Sequence, residues 1–149
     1  MNYKKSFNFL KKLPSKLNLF YKRKSKSGIK VSNKSKYKKD FDPVTNFDKA
    51  FEKYIRSLIN QKFPHDSIIG EEFEDKFSLN NLKWSIDPID GTRAFVIGAP
   101  TWSNLISLSF EEKSLIGLAN FPELSKFYIN DKKKSYPFNS NKKTVLKSS

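Results

Sequence analysis

Two helical stripes of apolar residues open the chain, and short strand-like runs follow them. Phe7, Leu10, Leu13, Leu17 and Phe20 are spaced by three and four, which predicts a helix over residues 3–21 that Pro14 should kink or divide. A broader stripe comes next. Phe47, Ala50, Phe51, Tyr54, Ile55, Leu58 and Ile59 predict a helix over residues 46–62 with one wide buried face. Thr45 is its expected N-cap, Asp48 stands three residues on, where a carboxylate favours a helix start, and Pro64 ends it.

From there the period shortens. "SIIG" (67–70) and "LKWSID" (82–87) are short apolar runs, and "SNLISLSF" (103–110) alternates, with Asn104, Ile106, Leu108 and Phe110 on one face. "SLIGLANF" (114–121) and "KFYIN" (126–130) follow across links short enough to make the last three runs an antiparallel meander. Helices first and strands afterwards predict an α+β fold with helices layered on an antiparallel sheet. Three regions result: a basic helix and linker over residues 1–40, with an exposed strand around "GIKVS"; a globular body over 41–130; and a polar, basic tail over 131–149 without a clear period.

Charge sharpens that division. The 149 residues carry a formal net charge of +14, yet residues 1–40 hold 14 Lys/Arg against the single acid Asp40, while the remainder is almost balanced. Such a segment suits either a solvated lysine-rich surface or an electrostatic contact with nucleic acid, and no nucleic-acid-binding motif accompanies the lysines. Nucleic acid is therefore not the expected partner. The absence of cysteine excludes disulfides, thiolate metal sites and a cysteine nucleophile. No apolar run is long enough to span a bilayer or to serve as a signal peptide core, so a cytoplasmic protein without membrane contact is expected.

Against this basic background, "WSIDPIDGTRAF" (84–95) places two aspartates three apart at the end of a strand. Pro88 should end the ladder and force a turn, Gly91 tolerates unusual backbone angles, and Thr92 starts a short helical turn with unpaired N–H groups. A second apolar run ends at Gly70 and is followed at once by Glu71 and Glu72, and a third element puts Asp48 on the first turn of the long helix. Each alone reads equally as an Asx/Pro turn, a solvated acidic loop or a helix cap. Together they bring four or five carboxylates into one space, where repulsion demands a cation or a proton, and hard oxygen donors suit Mg²⁺.

The blocks "DPVTNFDKAFE" (42–52), "FPHDSIIGEE" (63–72) and "WSIDPIDGTRAF" (84–95) resemble the Mg²⁺-dependent inositol monophosphatase family, and "DGTRAFVIGAPTW" (90–102) is most similar to its histidinol-phosphate phosphatase branch. The resemblance implies that the body over residues 41–130 is the N-terminal half of an αβαβα sandwich. It implies that Glu71, Asp87, the Ile89 carbonyl and Asp90 ligate metal, with Asp87 between two ions. It further implies that Glu71, Asp90, Gly91 and Thr92 face the substrate phosphate, and that Thr92 acts with Asp48 and Glu72 on the attacking water. The expected partner is a small phosphorylated substrate.

Family members carry a second half with a further aspartate and most of the residues that recognise the alcohol. This chain stops at Ser149, before that half, so a catalytically inactive or split half-enzyme that needs a partner chain, a second copy or a separate C-terminal half, is the expected alternative to a self-sufficient phosphatase. A basic nucleic-acid-binding protein is the third reading. His65, the one histidine, reads as a loop residue, Trp84 and Trp102 as core, and Arg93 as a substrate or dimer contact or a structural ion pair.

Overall fold

A computed structural model of the protein describes residues 3–35 and 43–131, and the backbone of residues 135–139 and 142–143. The boundary expected near residue 40 and the rest of the tail lie outside the described residues. The first element, α1 (Lys4–Lys24), passes through Pro14 as a single helix, so of the two expected outcomes, a kink or a division, the proline does not divide it. Pro14 removes one i→i−4 bond, but Leu10, Leu13 and Leu17 on either side of it are all buried, and their packing holds the two halves to one surface.

After a 3-10 turn the exposed β1 (Val31–Asn33) pairs antiparallel with β2 (Pro43–Thr45), as the "GIKVS" stretch predicts. The long helix α2 (Asn46–Lys62) starts on a complete capping box. Thr45 Oγ1 accepts from Phe47 N–H, while Asp48 Oδ2 accepts from both the N–H and the hydroxyl of Thr45, at 2.6 and 2.7 Å.

One sheet carries the rest, in the order β3 (Ser67–Ile69), β4 (Leu82–Asp90), β5 (Ser103–Phe110), β6 (Lys113–Phe121), β7 (Lys126–Asn130), β8 (Ser135–Asn139) and β9 (Lys142–Lys143). The meander β5–β6–β7 is antiparallel as expected. Two features depart from the sequence reading. The tail adds two strands at the far edge, where main-chain pairing needs no side-chain period. And β3 pairs parallel to β4, because the loop over residues 70–81 is long enough to return the chain to its starting end.

Both long helices cover one face of this sheet. Leu10, Leu13 and Leu17 of α1 and Phe47, Phe51, Ile55 and Ile59 of α2 meet Trp84, Ile86, Ile106, Leu108, Ile116, Leu118 and Ile129 in a continuous core. Tyr21 ties α1 to the turn after β6 by donating to Glu123, and burial, then that carboxylate, pushes its phenol up to about 12. Alternate strand residues point the other way. Ser85, Asp87, Leu105, Ser107, Gly117, Ala119 and Tyr128 line a concavity of about 590 Å³ on the opposite face, reached also by Gly70 and Glu71.

Candidate active site

Parallel pairing brings the acidic segments together. With Ile69 level with Ser85, β3 and β4 run out at the same edge, so Glu71 and Glu72 emerge beside Asp87 and Asp90. An antiparallel pair would have put them at opposite ends. The strand does not stop at Pro88 as the sequence suggests: β4 continues to Asp90 across a bulge, with Asp87 opposite Leu105 and Asp90 opposite Ser103. A bulge accommodates the proline's missing N–H and turns the following side chains.

Buried asparagines brace that bulge. Asn104 Nδ2 donates to the Pro88 carbonyl at 2.7 Å, and Asn120 Nδ2 donates to Asn104 Oδ1 and to Asn18 Oδ1, each at 3.0 Å. Behind the next turn, α3 (Thr92–Val96) begins at Gly91, whose φ of +82° is the left-handed conformation that glycine adopts without strain. Phe95 anchors α3 in an aromatic cluster, 4.9 Å from Trp102 and 5.2 Å from Phe47 between ring centres. Both tryptophans are therefore core, as expected, and His65 lies exposed in the loop after α2.

Among the described residues Asp87 is the carboxyl most displaced from its ordinary range. Burial first, then the charges of Glu71 and Asp90, push its carboxyl up to about 7, against a bond from the Ile89 amide that favours the charged form. Its Oδ1 is buried and has no hydrogen-bond partner among the described residues. Burial likewise raises Glu71, with Glu72, Asp48 and Glu52 adding to the effect and Lys34 opposing it.

Lys34, just past β1, reaches into this cluster and forms an ion pair with Glu72, whose side chain is only 3% exposed. Burial opposes its charge, but Glu72, Glu71 and Asp48 outweigh that and hold its ammonium above the ordinary lysine value. The remaining residues sit around this centre. Asp90 is exposed and accepts from the Ser103 hydroxyl at 3.4 Å; Thr92 Oγ1 donates to the Ile89 carbonyl at 3.0 Å. Asp48 is engaged by Thr45 and Glu72 by Lys34, so no described hydrogen bond links Thr92 to either carboxylate.

The donor set fits a hard divalent cation in kind: carboxylates and a carbonyl, with one buried oxygen unpartnered among the described residues. Among the described residues no three acidic or histidine side chains are placed at ligating distance of one point. Nor is any described helix long and apolar enough to cross a membrane.

Sequence reasoning missed five contributing residues. Glu52 and Arg56 on α2 grip the loop that carries Glu71, Asn104 and Asn120 hold the bulge, and Lys34 supplies the counter-charge. A signal existed for two of them: Glu52 lies one position from Phe51 on the buried stripe of α2, and Asn104 shares the apolar face of β5.

Comparison with known proteins bears on the family and the fold. The model of the inositol monophosphatase family matches residues 8–148. Histidinol-phosphatase of Chlorobaculum parvum is 45% identical over 91 residues, which span 61% of this chain and 35% of that protein. The structure of extragenic suppressor protein SuhB from Bartonella henselae superposes with a TM-score of 0.78 over 91% of this chain and 52% of that one, at 22% identity. An IMPase/NADP phosphatase complexed with Mg²⁺ and phosphate superposes with a TM-score of 0.65 at 18% identity, over 93% of this chain and 52% of its own. The chain spans about a third of the length of the curated relatives it matches and about half that of the solved structures.

Proposed function

Because this chain belongs to the inositol monophosphatase family, we propose that it carries the metal- and phosphate-binding half of a Mg²⁺-dependent phosphomonoesterase acting on a small phosphate monoester of the histidinol phosphate or inositol monophosphate type. The observation that carries this reading is the buried, unpartnered Oδ1 of Asp87, flanked by Glu71 and Asp90 at the common edge of two parallel strands. Glu71, Asp87, the Ile89 carbonyl and Asp90 would hold the cation. When bound, it supplies the positive charge that offsets a phosphate dianion and the leaving oxygen.

The chain's own groups do the rest. Gly91 and Thr92 present main-chain N–H groups at the first turn of α3, where no intrahelical acceptor exists, to the phosphate oxygens. The Thr92 hydroxyl, turning from the Ile89 carbonyl, would orient a water for in-line attack, and the carboxylate of Glu72 or Asp48, released from Lys34 or Thr45, would accept that water's proton. No covalent enzyme intermediate is needed.

Purified chain should release inorganic phosphate from histidinol phosphate or inositol monophosphate only when Mg²⁺ is present, and Asp90→Asn should abolish the release. Undiminished turnover by that variant sinks the mechanism. A second reading rests on the uncovered sheet face, which Glu71 and Asp87 share with Leu105 and Tyr128: the chain is a half-site completed by a second copy or by a separate C-terminal half. In that case release appears only when the complementary half of a histidinol-phosphatase is added, or rises with the square of chain concentration.

A further inference from the structure

Glu52 is a fully buried carboxylate that accepts both from the segment carrying Glu71 and from Arg56 on its own helix. Its Oε2 accepts the main-chain N–H groups of Glu71 and Glu72, at 2.9 and 2.7 Å. Its Oε1 accepts from Arg56 Nε at 2.7 Å, and Arg56 Nη2 donates in turn to the Phe73 carbonyl at 3.2 Å. The helix thus holds both sides of the Gly70–Phe73 turn through one ion pair. Gly70 fits this arrangement closely: a Cβ there would stand 2.1 Å from Glu52 Oε1 and 2.4 Å from its Cδ. The glycine is required by the carboxylate packed against it, since Gly70 is not among the residues with positive φ.

We propose that Glu52 is a positioning residue of the acidic site, fixing the Gly70–Glu72 main chain so that the Glu71 carboxylate stands beside Asp87. Glu52 touches neither substrate nor cation in this scheme. It acts through two amides, which a carboxylate can accept together and which a carboxamide cannot accept without turning its NH₂ toward the Arg56 guanidinium. Supporting groups of this kind change metal affinity by roughly 10–100-fold when removed. This inference rests on the metal reading above for its consequence, but its structural half stands separately.

Two variants test it. Glu52→Gln keeps the size of the side chain, and Gly70→Ala removes no carboxylate while driving that of Glu52 from its seat. Amide hydrogen exchange should show protection of Glu71 and Glu72 falling at least about tenfold in both variants, with the meander strands unchanged. Titration calorimetry with Mg²⁺ alone should show about tenfold weaker binding in both. Unaltered exchange at Glu71 and Glu72 in folded variants overturns the positioning role. So does Mg²⁺ binding within twofold of the parent chain. If the parent chain itself binds no Mg²⁺, the metal reading fails, and the exchange experiment alone decides the role of Glu52.

Discussion

Replacing Asp87 by asparagine should stabilise this protein at alkaline pH, although it removes a proposed metal ligand. The carboxyl is raised from 3.8 to about 7, chiefly by burial and then by Glu71 and Asp90. Below pH 3.8 both folded and unfolded chains carry the proton, and Asp87 contributes nothing to the difference. As pH rises toward 7, the unfolded chain releases a proton that the fold retains, so stability falls, and above 7 the full cost of the buried charge applies. At about 1.4 kcal/mol per pH unit that cost is at most roughly 4 kcal/mol. Asp87 is only half-buried, and solvent screening brings the figure to about 1–2 kcal/mol. Thermal unfolding is the assay. Asp87→Asn should match the parent at pH 4 and melt about 3–8 °C above it at pH 8. Added Mg²⁺ should raise the melting temperature of the parent at pH 8 and leave the variant unmoved. A variant no more stable than the parent at pH 8 would refute the account of a charge-frustrated Asp87.

Other perturbations probe the surroundings. Lys34→Met removes the ammonium beside Glu72, Glu71 and Asp48, so Mg²⁺ affinity measured by calorimetry should rise severalfold at low ionic strength, and the gain should shrink in 0.5 M salt; weaker binding would show that Lys34 supports the site. Gly91→Ala forces a side chain into φ +82° and should cost about 1–2 kcal/mol; Gly98→Ala, at φ +74° in open space, should cost as much stability without touching Mg²⁺-dependent phosphate release. Asp66 is buried and accepts from Trp84 Nε1 at 2.9 Å and Asn80 Nδ2 at 2.6 Å. Asp66→Ala should therefore cost about 2–3 kcal/mol, read as a lower urea midpoint at unchanged slope, because an indole N–H is left buried and unpaired.

Local pattern alone was enough for much of the architecture. The stripe from Phe47 to Ile59 and the Thr45–Asp48 cap define α2, because a helix is written in spacings of three and four and in the groups that satisfy its first amides. The alternation in residues 103–110 and the short links after it define the meander, because two- to four-residue connections leave strands no option but to turn back. The acidic residues were legible as a set for a chemical reason: carboxylates gathered at the ends of apolar runs are costly unless something binds them.

Tertiary structure alone decided how that set is arranged. The parallel pairing of β3 with β4 depends on how a long loop returns, which no residue pattern within either strand encodes, and it is what puts Glu71 next to Asp87. The bulge through Pro88 depends on Asn104 reaching across from β5, a contact 16 residues away in sequence. Continuity of α1 through Pro14 depends on packing against the sheet, which offsets one missing hydrogen bond. The partners of Glu52 and Lys34 are set in the same way, 19 and 38 residues distant in the chain. Sequence determines which groups are present and which local shapes they favour; which of them meet depends on burial and register summed over the whole fold.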